Sequence, residues 1–283
     1  MSFSAPGSPP PPPGPPPHEA AGPYPGQPYP EQPYAQQPYP GQPAHPGQPY
    51  PGQPVYAGPP PPGDVLRSPQ GLATALTVLL SVAGAVNLFS AGVNLFAWSA
   101  MKDLIAGADR GASDKLSVSD GLTALAGSLQ LLTLLGTATV FIIWFHRVRV
   151  NGEIFRPDAF TLGRGWAIGA WFVPIGNLFL PFRTARQIWT ASTQLAPDGS
   201  YRPVSAAPLT AWWLVWVLAA CVDRVYAQMY KYAETSEAAR DASAVGVLSD
   251  LLMVAAAVLA VLFVRKLTAL QNTKAIQGLY AAS

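Results

Sequence analysis

Asp250 is the side chain whose setting most demands an explanation. It stands in the run 242–264, among Leu251, Leu252, Met253 and Val254, and no other charge interrupts that run. A carboxylate at the middle of a bilayer costs on the order of 3 kcal/mol on insertion scales, so it needs hydrogen-bond partners, a task, or both. Candidate partners lie at matching depth. Asp250 is eight residues from one end of its run, Asn94 seven from the end of 68–101, and Gln130 nine from the start of 121–145. At the rise of an α-helix these offsets all correspond to about 12 Å. Asn87 is seven residues from Asn94 and so shares its helical face. The expectation is an intramembrane polar layer of Asp250, Asn94, Gln130 and Asn87, with the carboxylate bonded to one or both of the amides from Asn94 and Gln130. Such a layer can glue helices together or bind a proton or cation.

A second group with chemical potential is basic. His146, Arg147, Arg149, Arg156, Arg164, Arg183, Arg186, Arg202, Arg265 and Lys266 all flank the ends of apolar runs. The positive-inside rule accounts for such a set by itself. Five of them, Arg147, Arg149, Arg164, Arg183 and Arg186, are also candidates for an anionic lipid or a phosphorylated lipid-linked intermediate, because guanidinium forks match phosphate geometry. Catalysis is not expected, and neither a cofactor nor a metal site is. His146 is the one histidine of the body, no P-loop or dinucleotide glycine fingerprint occurs, and the single cysteine, Cys221, sits in Ala-Ala-Cys-Val as a small buried hydrophobe.

The elements that must position these residues divide the chain in two. Of 32 prolines, 25 fall in the first 63 positions, where Glu19 and Glu31 are the only charges. Residues 1–66 are read as a disordered tail, since so few aliphatic side chains cannot offset the entropy of ordering. Its Pro-Tyr steps at Tyr24, Tyr29, Tyr34 and Tyr39 repeat every five residues. This suits a spacer or a docking platform for partner proteins. Residues 67–275 read as an all-α, polytopic membrane helix bundle. Four runs are long enough to span a hydrocarbon core of ~30 Å, at about 71–99, 121–145, 209–230 and 242–264. Ser68-Pro69, Asp120 and Pro208 are expected to open three of them, and Trp98, Trp144, Trp212, Trp213 and Trp216 to lie in interfacial belts.

A fifth run, 165–182, is short and holds Pro174 and Pro181, so it is expected to insert half-way, with five transmembrane helices as the alternative. Charge favours the first arrangement. With four spans, eleven Lys/Arg residues share one side against six on the other; with five, the split is eight against nine and the bias disappears. After this run, Phe182, Ala185, Ile188, Trp189 and Leu195 keep helical spacing opposite Arg183, Arg186, Gln187 and Thr190. They predict an amphipathic helix over 182–195 suited to a membrane interface.

Asn151-Gly152, Gly165-Trp166, Trp171-Phe172-Val173-Pro174-Ile175-Gly176-Asn177-Leu178, Pro181, Trp189 and Ser192 form the densest pattern. It resembles the signature of the domain of unknown function 4328 family, multi-pass membrane proteins of actinobacteria with proline-rich N-terminal tails. The resemblance covers about residues 70–270 and implies a helical membrane fold without assigning an activity. Gly152 departs from the alanine expected there, which implies a looser turn. The Pro174–Pro181 segment, with Asn177 between the prolines, is expected to pack inside the bundle and build a binding feature.

Taken together, the sequence points to a multi-pass protein of the cell membrane, with tail and C-terminus cytoplasmic and a structural, scaffolding or interaction role. A small channel, transporter or lipid-handling protein is the alternative. Expected partners are the lipid bilayer, proteins that dock on the tail and further copies of the chain. Small net charge and basic residues confined to span ends exclude nucleic acid.

Overall fold

The computed structural model describes residues 65–107, 109–196 and 198–277, so residues 1–64 of the proline-rich tail lie outside the described residues. Six α-helices follow in order: α1 (Gln70–Ile105), α2 (Asp109–Phe155), α3 (Trp166–Gly169), α4 (Leu180–Ala191), α5 (Ala207–Lys231) and α6 (Ser236–Gln277). Four of them, α1, α2, α5 and α6, are long and apolar enough to cross a membrane. Among the described residues there is no strand, only an isolated bridge between Leu195 and Tyr201. The fold is a polytopic helix bundle. α6 is its centre, packed along α1 on one side and α5 on the other, while α2 packs along α1.

Residues 165–182 do not form a fifth long helix. They fold into α3, a 3-10 turn at Gly176–Leu178 and the first turn of α4. Pro174 and Gly176 prevent a continuous helix here, and Ile175 takes a left-handed φ of 62°, an uncommon and strained choice for a β-branched residue. Ring contacts show that this stretch starts and finishes at one end of the bundle. Phe141 of α2 lies 5.7 Å from Trp212 at the start of α5, and Trp171 touches both helices, 5.3 Å from Phe141 and 6.1 Å from Trp213. The start of α1 and the end of α6 are at this end too, since Asn151 of α2 bonds both Arg67 and Gln271. Because all the arginines of 147–202 belong here, it is called the basic end below.

Its core is aromatic. Trp144, Phe145, Ile188 and Phe263 are fully buried, Trp212 stacks on Phe263 at 4.8 Å and 6°, and Trp189 also stacks on Phe263, at 6.3 Å. Trp144, Trp212 and Trp213 are therefore core residues, not the interfacial belt that their positions suggested. In lipid, burial of apolar rings gains little from water exclusion, and close ring-on-ring packing supplies the attraction instead.

Several local expectations also change. Asp120 does not cap a helix, because α2 begins at Asp109 and carries its polar first turns as one continuous 47-residue helix. The amphipathic helix is α4, ending at Ala191, and its apolar face is buried in the bundle through Ala185, Ile188 and Trp189, not laid on lipid. Cys221 is exposed on α5, not buried. Gly152 is inside α2 rather than in a loose turn, and a Cβ there would come within 3.0 Å of the Phe160 ring and 3.6 Å of Ala191. The missing methyl group lets the 156–162 connection and α4 close over α2.

Candidate functional site

Halfway along the bundle the structure brings Asp250, Asn94, Gln130 and Asn87 together. Asn94 Nδ2 donates to Asp250 Oδ2 at 2.9 Å, and Gln130 Nε2 donates to Asp250 Oδ1 at 3.0 Å and to Asn87 Oδ1 at 3.1 Å. Tyr226 of α5 donates its hydroxyl to Asn94 Oδ1 at 3.2 Å. All four long helices meet in this layer. Gly246 makes it possible: an added Cβ there would lie 2.8 Å from the Asn94 side chain, so only glycine lets α1 and α6 approach closely enough. Asp250 itself is buried. The Ser90 hydroxyl is a third side-chain donor to it. A carboxylate offers about four lone-pair sites, so these three donors leave it able to take one more.

Beside the layer is an opening. α2 and α5 touch through Phe141 and Trp212 at the basic end but do not pack along their length, and between them lies a crevice of about 500 Å³. Its floor is the small-residue stripe Ala256, Ala257 and Ala260 of α6, its polar end is Asn87, Gln130, Asp223 and Asp250, and its aromatic end is Trp171, Phe172, Trp212 and Trp216. From Asp250 to Ala260 the helical rise gives a length of about 15 Å. Two polar atoms along the walls, Thr137 Oγ1 and Trp171 Nε1, are buried without a hydrogen-bond partner. Unpaired polar groups in an apolar setting are costly, and a ligand or water that reaches them removes that cost.

Asp223 is the residue that sequence reasoning missed. It falls inside the expected span 209–230 but was given neither partner nor task there; α5 runs to Lys231 and carries Asp223 onto the crevice. Helical periodicity offers a usable signal: Trp212, Trp216 and Asp223, all on the crevice, are spaced by four and seven residues.

The signature residues divide. Trp171 and its neighbours Ala167 and Ala170 face the bundle, Pro181 and Trp189 are buried in α4, and Asn151 is buried in α2. Trp166, Phe172, Pro174, Ile175 and Phe179 are exposed, so the proline-broken segment covers the basic end of the crevice with one side only and does not pack wholly inside. Asn177 is half-buried in the 3-10 turn, with its backbone N–H donated to Val173 O at 2.9 Å. Asn151 belongs to a different network, together with Gln271, which the sequence did not single out because it lies past the last apolar run. Arg67 N donates to Asn151 Oδ1, Asn151 Nδ2 donates to Arg67 O and to Gln271 Oε1, and Gln271 Nε2 donates to Val148 O and Ser192 Oγ.

The arginines divide as well. Arg149 is buried, donates to Glu153 Oε2 at 2.7 Å and to Leu162 O at 2.8 Å, and lies over the Phe160 ring at 3.6 Å. Arg164 donates to the same Glu153 oxygen at 2.8 Å, and Arg147 to Ser68 O at 3.3 Å. These three tie the basic end together. Arg183 and Arg186 point away from the core on the exposed side of α4. Among the described residues no group of three His, Cys, Asp or Glu side chains is placed to hold a metal ion.

A family model described as "Domain of unknown function (DUF4328)" matches residues 108–269, more than half of the chain and all of the signature. The chain belongs to the DUF4328 family. No curated protein and no solved structure gives a significant match. The matched region of this DUF4328 chain starts at α2, so the family's shared part contains Gln130, Asp223, Asp250 and the signature, while Asn87 and Asn94 come from α1 ahead of it.

Proposed function

We propose that this DUF4328 protein holds an amphiphilic molecule in the crevice between α2 and α5, with its Arg-rich end facing the cytoplasm. One observation carries the reading: a crevice of about 500 Å³ in the membrane-spanning part, apolar along its floor, with carboxylates and amides at one end and indoles at the other. A purely structural bundle has every reason to close such a gap, because each lost van der Waals contact weakens packing in lipid. An elongated apolar stem fits the stripe of Ala256, Ala257 and Ala260. A polar head that can donate hydrogen bonds, or a cationic one, fits between Asp223 and Asp250. No basic residue lines the crevice, so an anionic head is disfavoured there. The protein is then a small lipid-handling or carrier protein, and scaffolding through the proline-rich tail is compatible with that.

The orientation rests on the eleven-to-six split of Lys/Arg under four spans. The occupancy of the crevice is tested by native mass spectrometry of the full chain released from mild detergent. An amphiphile is expected to stay bound at about one per chain. Ala138→Phe, which fills the crevice from α2, is expected to remove it, whereas Leu132→Phe on the lipid-facing side of α2 leaves it in place. Equal retention by both variants, or no molecule retained by the parent chain, sinks the reading.

A further inference from the structure

The ten basic residues that the sequence gathers at one end are not equivalent in the structure. Arg149 and Arg164 converge on Glu153, and Arg147 caps a backbone carbonyl. Lys274 is buried, with its ammonium donated to Thr193 O at 2.7 Å. Three guanidinium groups remain around a second pocket, of about 430 Å³, between the connection after α2 and the exposed side of α4: Arg156, Arg183 and Arg186.

No carboxylate lines this pocket. Arg156 is paired through Nε with the exposed Asp158 at 3.2 Å, and Arg183 donates one N–H to Thr161 Oγ1 at 3.1 Å. Each guanidinium has five N–H donors, so both keep most of theirs. Arg186 has no carboxylate within ion-pair distance among the described residues. Arg183 and Arg186 project from a helix whose opposite side is locked into the aromatic core through Ile188 and Trp189. Phe182 and Ala159 add an apolar wall, and Gln187 Oε1 is a buried acceptor without a partner.

We propose that this pocket binds a phosphate group carried on an apolar stem, as in a phosphorylated lipid headgroup at the membrane surface. The guanidinium forks match phosphate oxygens in pairs, the Phe182 and Ala159 wall accepts the stem, and Gln187 Oε1 accepts a hydroxyl of the headgroup. The site is separate from the crevice and opposite to it in charge preference.

The probes are dioctanoyl phosphatidic acid, its phosphatidylcholine counterpart and inorganic phosphate, titrated against the detergent-solubilised full chain by calorimetry. Phosphatidic acid is expected to bind at least ten-fold more tightly than phosphatidylcholine. Arg183→Gln combined with Arg186→Gln is expected to weaken it at least ten-fold. Arg202→Gln combined with Arg265→Gln removes the same charge from exposed positions at the same end, outside the pocket, and is expected to change it less than two-fold. If the glutamine pair in α4 does not fold, Arg183→Lys with Arg186→Lys keeps the charge and is expected to lose several-fold through the missing forks. Competition by inorganic phosphate at matching concentration supports the site and assigns a soluble source; failure to compete supports the lipid. Equal weakening by the two glutamine pairs, or no preference over phosphatidylcholine, overturns the proposal.

Discussion

Two polar networks, one in each half of the bundle, hold their side chains in opposite ways. At the basic end, Asn151 and Gln271 bond to backbone groups of two other segments and to one another, and the aromatic core closes around them. In the other half, Asp250 is held by side chains alone, the Asn94 and Gln130 amides together with the Ser90 hydroxyl, and beside it the wall between α2 and α5 stands open. The first arrangement gives every side-chain N–H of Asn151 and Gln271 an acceptor and ties the start of α1 to the ends of α2 and α6. The second leaves capacity for one more donor. Difference in satisfaction, more than difference in polarity, is what separates a structural clamp from a candidate binding layer.

Breaking the clamp should have the largest effect. Asn151→Leu removes three hydrogen bonds and leaves the Arg67 backbone groups and the Gln271 amide without their partner. At about 1 to 3 kcal/mol for a buried group left unpaired, the expected loss is roughly 2 to 4 kcal/mol. A thermal melt of the detergent-solubilised protein checks it. A melting temperature unchanged within error would mean that the clamp contributes nothing and that the comparison between halves fails.

The contact that Gly152 permits comes next. Alanine there places a methyl group 3.0 Å from the Phe160 ring, in the surface where the connection after α2 closes over it. The expected cost is about 1 to 2 kcal/mol, in the range for overpacking a filled site. Phe160→Leu in the same chain should recover most of it, and a double-mutant cycle reads the coupling directly. Additive effects would place the strain elsewhere.

How much of this was legible beforehand follows from which physical quantity each feature depends on. Hydropathy and helical rise operate along the chain, so the four spans and the equal depths of Asp250, Asn94 and Gln130 could be read from positions alone. Lateral neighbours are a different matter. Nothing in the apolar runs says that α6 is central, that α2 and α5 stand apart, or that Trp212 stacks on Phe263 instead of facing headgroups. Gln271 was passed over because α6 continues beyond the run that hydropathy marks, and Asp223 because a charge near the end of a span looks like the approach to a loop. Gly246 gave no signal at all, since its role depends on Asn94 of another helix.

The smallest stability effect is expected at the layer, and it separates the halves most sharply. Asp250→Leu removes two hydrogen bonds from Asn94 and Gln130, a loss of roughly 0.5 to 2 kcal/mol each in a membrane setting. It also removes a carboxylate whose placement in hydrocarbon costs on the order of 3 kcal/mol. The two terms oppose each other, so the net change should lie between a gain of about 2 kcal/mol and a loss of about 1 kcal/mol, below the loss expected for Asn151→Leu. Binding is expected to behave in the reverse order, because the leucine variant keeps the fold but loses the acceptor that faces a crevice ligand, while a clamp variant that still folds keeps the crevice intact. Measured on one set of preparations, melting temperature and retained amphiphile should therefore rank the two variants oppositely. The same ranking in both measurements would make Asp250 one more packing residue and leave the crevice without its polar head site.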